Sequence, residues 1–406
     1  MNRSTPTLLR RQRGLTLIEL LVAVVIGLTV TLAATSVVLM GESHKRTTNS
    51  NNDTSQSGAY AAYALDRALR SAGSGFAQAW NLGTFGCRLN AARDISGTPT
   101  AILPRTASAF PAPFQGFLGG AGAAAAGNLR IAPLLIGQGQ SAGGSDVLMA
   151  MSGNGSAGDV PRAIRSGVPA TDNLRLDNTI RLVNGDIGLV TQTGVADCLL
   201  EQVNVTDATA FAAAGNEVLP LGGRYFTAGG TSLATLAASG TAYFSPLGNV
   251  GANNLQLQLF GVDANRTLVV YDLLRTAGDG TEAVTAPQLL ADGVAELHAI
   301  YGLDTGPPYD GIADNWVAPS GTWAIANVMA DPNLMRQIVA VRLAIVMRGA
   351  NYEKDDVTLA RPALFVGTAG EIPSLAYASG SDNLHFRLRV IDTTIPLRNM
   401  LLLPAS

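Results

Sequence analysis

The pattern of hydrophobic and polar positions separates a long apolar run near the N-terminus from a mixed remainder. The run extends from Leu15 to Met40, 26 residues, and contains a single ionisable residue, Glu19. A helix of this length spans a bilayer core of about 30 Å. The pattern therefore predicts a transmembrane helix over residues 15–40 with one carboxylate close to its start.

Helical periodicity resumes after a polar stretch at residues 41–58. The residues expected to pack against the rest of the chain are Ala61, Ala62, Leu65, Ala68, Leu69 and Ala72 on one face, together with Tyr60 and Tyr63. We therefore predict one helix over about 15–72, loosened around 49–57, whose second half lies under a globular head. Gly73 and Gly75 are expected to end it.

The remainder of the chain contains short runs that are typical of strands, bounded by turn residues. Alternation is clear in 255–259 and 385–391, as expected of sheets with one solvated face. The tetrapeptide DANR, 263–266, predicts a hairpin turn. Residues 76–145 are rich in Gly, Ala and Pro and are predicted as a long loop with a few docked hydrophobic residues. The predicted strands are 146–152, 178–184, 187–192, 198–205, 255–262, 266–274, 295–303, 337–347 and 384–397. The predicted fold class is α+β: a long N-terminal helix packed on a β-rich antiparallel head with long Gly/Ala-rich loops.

Composition is that of a folded chain with little affinity for nucleic acid. Of 406 residues, 47% are hydrophobic and 14% are charged, and the formal net charge is −3. Four of the 27 basic residues and no acidic ones lie in the first 14 residues, so the rest of the chain has 23 basic and 30 acidic residues. Binding to a phosphate backbone needs clustered Lys and Arg. The four arginines are Arg3, Arg10, Arg11 and Arg13.

The two cysteines, Cys87 and Cys198, are far apart and form no CxxC pair. A metal site usually needs three or four Cys or His ligands, and His44, His298 and His385 are scattered. We expect a disulfide in an oxidising compartment, closing a loop of about 110 residues. The alternative is two buried free thiols.

The sequence offers no catalytic pattern. GNGSAG, 153–158, satisfies the GxGxxG spacing of a dinucleotide site, but Pro161 prevents the helix that must follow. The interpretation is a turn. We find no nucleophile paired with a base, no P-loop and no HExxH spacing. The sequence therefore predicts a protein that is not an enzyme and has no cofactor.

A cluster of aspartates, Asp304, Asp310 and Asp314, lies in a turn-rich segment, 301–316. Closely spaced carboxylates on a loop are candidate Ca²⁺ ligands in an extracellular setting. The spacing does not fit an EF-hand, so solvated turn residues are the favoured interpretation and a calcium site is the alternative.

The N-terminus is not arranged like an ordinary secretory signal, in which a short apolar core is followed by small residues at the cleavage point. Here the basic segment ends at Gly14, and the apolar run follows the glycine. The arginines before the run predict a cytoplasmic N-terminus and a periplasmic or extracellular remainder. A plain single-pass anchor explains these features but not Gly14 or Glu19.

RGLTLIELLVAVVIG, residues 13–27, resembles the processing motif of type IV pilins and of the related pseudopilins of type II secretion. The resemblance implies that a prepilin peptidase cuts after Gly14. It also implies methylation of the new N-terminal residue, Leu15, where the family most often has phenylalanine, and a docking role for Glu19. A carboxylate one turn into a helix suits the helix dipole. The terminal amine of a neighbouring subunit would remove the cost of burying that carboxylate.

Further segments resemble PilW-type minor pilins and occur in the order expected for that family. The last of them ends in the pair Arg398 and Asn399. The resemblance implies a pilin-like fold over essentially the whole chain, with a head enlarged by Ala/Gly-rich insertions. The segments are RALRSAGSGFAQAWNLGTFGC (67–87), GLVTQTGVADC (188–198), LLADGVAELHAIYGLD (289–304), IVAVRLAIVMRG (338–349) and FRLRVIDTTIPLRN (386–399).

The resemblance implies a leader at 1–14, a helix at 15–72 and a periplasmic or extracellular head at 73–406. The expected function is that of a minor pilin in the initiation of type IV pilus assembly, serving motility, adhesion or DNA uptake. Its expected partners are other minor pilins, the major pilin, the prepilin peptidase and the inner-membrane assembly platform. The alternatives are a minor pseudopilin of type II secretion and, from a different class, a membrane-anchored periplasmic binding domain or enzyme. The expected location is the inner membrane, followed by the pilus.

Overall fold

The computed structural model of the chain describes residues 14, 16–95, 97–104, 110–119, 129–155, 157–166, 172–213, 215–227, 232–274, 286–307, 309–360, 362–374, 382–401 and 403. They form two compact units, Met1–Asp53 and Thr54–Ser406. One long helix is followed by a β-rich, mostly antiparallel region, so the predicted α+β class is confirmed.

Helix α1 extends from Leu17 to Ser71, 55 residues. The predicted loosening around 49–57 is wrong, because this stretch is helical throughout. Asn, Ser and Thr each lower helix stability by less than about 1 kcal/mol, and propagation from formed turns on both sides outweighs that cost. The predicted end is confirmed, since Gly73 adopts a φ of +83° just beyond the helix.

The strands and the shorter helices all lie in the second unit. The shorter helices are α2 (Gln115–Gly119), α3 (Ala208–Ala213), α4 (Leu233–Ser239), α5 (Ile325–Ala330) and α6 (Pro332–Gln337). The strands are β1 (Arg88–Ile95), β2 (Thr98–Leu103), β3 (Leu134–Gly137), β4 (Val147–Ser152), β5 (Arg162–Ala163), β6 (Asn173–Arg175), β7 (Asp186–Gln192), β8 (Asp197–Gln202), β9 (Val218–Pro220), β10 (Tyr225–Phe226), β11 (Ala242–Asn249), β12 (Gln256–Val262), β13 (Thr267–Asp272), β14 (Gln288–Asp292), β15 (Val294–Leu303), β16 (Asn315–Val317), β17 (Ile338–Arg348), β18 (Ala363–Leu364), β19 (Ile372–Pro373) and β20 (Leu388–Pro396).

Three larger sheets build the head. The first has the order β10-β1-β8-β7-β11-β5, with β2 also paired to β1, and its β1–β8 pair is parallel. The second has the order β14-β13-β12-β4-β3, and the third β16-β15-β17-β20, both antiparallel. The DANR turn is confirmed between β12 and β13, where Asp263 N donates to the carbonyl oxygen of Thr267 at 2.9 Å.

Two predictions from local pattern are wrong. Residues 76–145 are not a single loop, since they contain β1, β2 and β3, whose strand partners include β8 and β4. Residues 178–184 are not a strand. There the Asn178 side chain accepts a hydrogen bond from Ile180 N at 2.8 Å, and Arg181 has a φ of +65°. In the first case, pairing between distant strands overrides the weak strand propensity of the Gly- and Ala-rich segment. In the second case, an Asx turn interrupts the segment that was predicted to be a strand.

The second half of α1 contributes one face to the main hydrophobic core. Ala61, Leu65, Leu69 and Ala72 are fully buried, as the periodicity predicts. Gly58, one turn earlier, would place an added Cβ 2.4 Å from Ile391 Cδ1 of β20. The helix therefore lies close against the third sheet, and a small residue is required at the contact.

Candidate functional site

The start of α1 is stabilised by a side-chain cap. Thr16 precedes the helix, and its Oγ1 accepts a hydrogen bond from Glu19 N at 3.3 Å. The T-x-x-E spacing of residues 16–19 is that of a capping box, in which the residue at the third helical position is commonly Glu. Sequence reasoning missed Thr16, although this spacing was visible. Gly14 is exposed beside the cap, and Leu15 lies outside the described residues.

The apolar part of α1 is exposed on all sides. Its large side chains are half to three-quarters exposed, as at Leu17 (78%) and Leu32 (74%). An 18-residue window of the helix has a mean hydropathy of 2.5, which by length and composition suffices to cross a membrane. Exposed apolar surface of this extent is typical of a segment that lies in lipid or in a helical assembly.

The hydroxyl side chains within this apolar segment satisfy their own hydrogen bonds. Thr29 donates to Ile26 O at 2.8 Å, and Thr35 donates to Thr31 O at 2.6 Å. Thr31 and Ser36 likewise donate to carbonyl oxygens three or four residues earlier. Such bonds make hydroxyl groups tolerable where no water is available.

Glu19 is the exception among the polar side chains of the segment. Within the part of the chain that the structure describes, its carboxylate accepts no hydrogen bond and forms no ion pair. An unpaired carboxylate in a helix that enters lipid or a fibre core is costly. The docking role that the sequence resemblance implies for Glu19 would give this carboxylate a partner outside the described residues.

The other end of α1 is fixed to the head by polar contacts with distant residues. Gly73 N donates to Met151 O and Gly153 N donates to Ser74 O, both at 2.8 Å. The Asn399 side-chain amide donates to the carbonyl oxygens of Ser71 and Ala72, at 3.2 and 3.0 Å. Asn399 thus satisfies helix-end carbonyls that have no partner within the helix. This gives a structural role to one member of the Arg-Asn pair found in the sequence.

Gly153 explains the GxGxxG match without a nucleotide. A Cβ at this position would lie 2.1 Å from the Leu247 carbonyl oxygen, so the backbone here can approach β11 only if the residue is glycine. The motif lies after β4, as expected, and its first glycine serves close packing and the hydrogen bond to Ser74. The interpretation as a turn accounts for it.

The predicted disulfide is confirmed. Cys87 and Cys198 are bonded, with a Cα–Cα distance of 5.6 Å, and both are buried. The bond lies at the parallel β1–β8 pair, where Leu89 is in register with Cys198. A parallel pair needs a long crossover connection, and the disulfide ties the start of β1 to a strand that is 111 residues away by sequence.

Removing this crosslink is expected to destabilise the head strongly. For the Cys87→Ala/Cys198→Ala variant we expect the free energy of unfolding to fall by about 2–4 kcal/mol, because the unfolded chain loses a loop constraint. Urea titration of the full-length chain in detergent micelles, followed by tryptophan fluorescence, measures the change. Reduced wild type serves as the matched control and should lose a similar amount. A loss of less than about 1 kcal/mol would contradict the expectation.

The described aspartates of the loop accept hydrogen bonds from backbone N–H groups. Asp304 is buried and accepts hydrogen bonds from Gly306 N and Gly311 N, at 3.3 and 2.7 Å. Asp310 accepts from Ile312 N and Asp314 accepts from Thr305 N, each at 2.9 Å. Within the described residues no three His, Cys, Asp or Glu side chains are grouped so as to hold a metal ion. The three carboxylates thus bond to different backbone groups of the loop, some up to nine residues away, and the calcium alternative gains no support.

A buried charged cluster joins the second and third sheets. His298 Nε2 lies 3.0 Å from a carboxylate oxygen of Glu296, and its Nδ1 lies 3.5 Å from one of Asp146. Ser374 Oγ donates to Glu296 at 3.0 Å, and Asp146 accepts from Ala299 N at 2.9 Å. Burial by itself lowers the pKa of His298, but hydrogen bonds and charges from Asp146 and Glu296 raise it to about 9.

This cluster holds the head together and offers no surface for chemistry. Asp146, Glu296 and His298 are each no more than 3% exposed, so a ligand has no access to them. Sequence reasoning treated His298 as one of three scattered histidines. The ELH spacing of residues 296–298 places both ionisable groups on one face of β15. Only the packing of β15 against the start of β4 adds Asp146.

Two protein-family models match parts of this chain, one near its N-terminus and one in its C-terminal part. The family model of type IV pilus-assembly protein W matches residues 259–399, and the model of the prokaryotic N-terminal methylation motif matches residues 9–35. No curated protein and no solved structure matches the chain. The first match covers β13 to β20 and reaches Asn399. The second covers the glycine, the capped helix start and the lone carboxylate.

Proposed function

We propose that the chain is a PilW-family type IV minor pilin that takes part in the initiation of type IV pilus assembly. The matches to type IV pilus-assembly protein W and to the N-terminal methylation motif support this proposal. The role is structural and not enzymatic. The observation that carries the proposal is the helix start, where a capped first turn presents Glu19, which has no partner among the described residues, in an exposed apolar segment.

Assembly uses that carboxylate in one physical step. After cleavage behind Gly14, Leu15 carries a positively charged amine, four residues before Glu19 in the sequence. When helices leave the bilayer and pack into a fibre, Glu19 of one subunit pairs with the terminal amine of its neighbour, because either charge buried alone is strongly unfavourable. The pairing sets the axial register between subunits. Methylation keeps the amine basic and adds apolar surface.

The proposed location follows from the charge distribution. The arginines before the apolar segment hold the N-terminus in the cytoplasm, and the disulfide-bonded head faces the periplasm before it enters the pilus. The proposed partners are the prepilin peptidase, the inner-membrane assembly platform, the other minor pilins and the major pilin. Motility, adhesion or DNA uptake is the process that such a pilus would serve.

The alternatives explain less. A minor pseudopilin of type II secretion has the same N-terminus, and the match to type IV pilus-assembly protein W over residues 259–399 favours the pilus. A membrane-anchored binding domain or enzyme leaves the processing motif and Glu19 without a role.

The processing step is tested by a substitution at the cleavage glycine. In cells with a prepilin peptidase, the wild-type chain should lose 14 residues, whereas Gly14→Val should keep its full length, because a side chain blocks close approach of the peptidase to the backbone. Intact-mass spectrometry of the membrane fraction distinguishes the two. Gly27→Val is the matched control, since a Cβ at either glycine meets no atom within 4 Å. Wild-type chain that stays uncut would overturn the proposed processing.

A further inference from the structure

A cleft of about 700 Å³ lies in the second unit between the C-terminal half of α1 and the outer face of the second sheet. The small residues Ala64 and Ala68 of the helix are among the residues that line it. No described residue from the N-terminal half of α1, which contains Glu19, lines the cleft. The side chains that line its walls include Tyr60, Tyr63 and Arg67 on the helix and Gln256, Gln258 and Gln288 on the strands.

Two tyrosines line the helix side of this cleft and are not packed. Tyr60 and Tyr63 are 53% and 62% exposed, so the prediction that they pack against the head is wrong. They are three residues apart and share one stripe of the helix. Within the described residues, neither hydroxyl group has a hydrogen bond and neither ring contacts another aromatic ring. The stripe therefore presents two aromatic faces to the cleft.

Two amide side chains on the opposite wall, Gln256 and Gln258, have no hydrogen-bond partner among the described residues. Gln256 and Gln258 alternate along β12 with the buried Leu257 and Leu259, so both project from the outer face. Neither side chain forms a hydrogen bond with another described residue. Each amide carries both a donor group and an acceptor oxygen. This wall can therefore bond to hydroxyl groups in either direction.

One end of the cleft is rigid. The Asn254 side chain accepts from Asn249 N at 2.7 Å and donates to the Asn154 carbonyl oxygen at 2.5 Å. The adjacent helix end is fixed by the hydrogen bond from Gly153 N to Ser74 O. A ligand in this cleft would bind a largely preformed surface, which reduces the entropic cost of binding.

The charge and topology of the cleft select the class of ligand. Among its described lining residues Arg67 is the one charged side chain, so the cleft has no carboxylate for a metal ion or a cationic ligand, and too few cations for a polyanion. An extended peptide binds by pairing with a free strand edge, but Gln256 and Gln258 lie on β12, which is paired on both sides. A helical partner would need an apolar groove, whereas serine, asparagine and glutamine side chains make up half of the residues that line this cleft.

We propose that this cleft binds a short oligosaccharide. The apolar faces of the sugar rings stack on the rings of Tyr60 and Tyr63, because the weakly positive C–H groups of the sugar are attracted to the negative face of an aromatic ring. The hydroxyl groups exchange hydrogen bonds with Gln256 and Gln258, and Arg67 donates to a further oxygen. The site is separate from the helix start, so it is independent of the assembly role.

The test uses the full-length chain in detergent micelles on a printed array of mono- to hexasaccharides. Binding of at least one glycan is expected, and its affinity is then measured by calorimetry. Tyr60→Ala/Tyr63→Ala should weaken binding at least about tenfold, whereas Tyr60→Phe/Tyr63→Phe, which keeps the rings, should stay within about threefold. Tyr352→Ala is the matched control, because Tyr352 is equally exposed (56%) and lies outside the cleft.

Two results would overturn the proposal. The first is an array on which no saccharide binds. The second is binding that the double alanine variant does not weaken, or that Tyr352→Ala weakens as much. If the double alanine variant then binds saccharide normally but fails to enter pili, the cleft is a contact between subunits. Saccharide binding in a chain that cannot be processed at Gly14 would still support the cleft.

Discussion

Replacing Glu19 with alanine is expected to leave membrane insertion intact and to lower the amount of the chain in sheared pili by at least about tenfold. The apolar segment remains long enough to span the bilayer. What is lost is the charge that, in the proposed docking role, pairs with the terminal amine of the neighbouring subunit. That amine then stays unpaired in the fibre core, where an isolated ion costs several kcal/mol. Immunoblotting of membrane and pilus fractions, in a host that assembles type IV pili, measures both quantities.

Three further variants separate docking from helix capping. Glu19→Gln keeps the length and the polarity of the side chain but not its charge, and it should fail as alanine does. Thr16→Ala removes the cap, which is worth about 1 kcal/mol to the helix, and should still enter pili. Glu42→Ala changes an exposed glutamate beyond the apolar run and should behave as wild type. Normal piliation by Glu19→Gln would refute the role of the charge.

Replacing His298 with glutamine is expected to lower the free energy of unfolding at neutral pH by about 3–5 kcal/mol. The substitution leaves Asp146 and Glu296 buried without a positive charge between them. Both carboxylates keep other hydrogen bonds, to Ala299 N and to Ser374, but these do not neutralise them. Urea titration of the full-length chain in detergent micelles gives the value. His385→Gln, at a half-buried histidine, is the matched control and should lose less than about 1 kcal/mol.

The same cluster predicts a pH dependence. The folded-state pKa of His298 is about 9, above its ordinary value of 6.5. A group with a raised pKa contributes its full stabilisation below the unfolded value and loses it as the pH rises through the folded value. Wild type should therefore lose about 3 kcal/mol of stability between pH 6.5 and pH 9, and His298→Gln should lose much less. A flat wild-type profile over this range would contradict the charged form of His298.

Local signals in the sequence were sufficient for the helix and for many of the strands. The 26-residue apolar run, the resumed spacing at Leu65 and Leu69, and the stop at Gly73 all depend on neighbours within a few turns. Strands such as β12, β13, β15 and β17 carry dense apolar runs and were predicted to within a residue or two at most of their ends. By contrast, β11 was missed because Pro246 and Gly248 interrupt it, where the structure has a register shift in its pairing with β7.

The features of the candidate site likewise fall into those with a local signal in the sequence and those without one. The processing motif was evident because Gly14 and Glu19 are chemically unusual in their local context, and the family matches agree with it. Cleavage after Gly14 and the docking role of Glu19 stay predictions. The disulfide followed from a count of two cysteines and is confirmed. The cap by Asn399 on a helix that ends more than 300 residues earlier had no local signal.

The sequence alone predicted a long helix with an apolar first half and an N-terminal methylation motif, a disulfide and a β-rich head, since each depends on composition or on spacing within one element. Tertiary structure decided the parallel β1–β8 pair, the charged contact of Asp146 with His298, and the cleft between Tyr60 and Gln258. These features depend on which distant segments meet when apolar faces are buried. That choice is made by the free energy of the whole core, and no single segment encodes it.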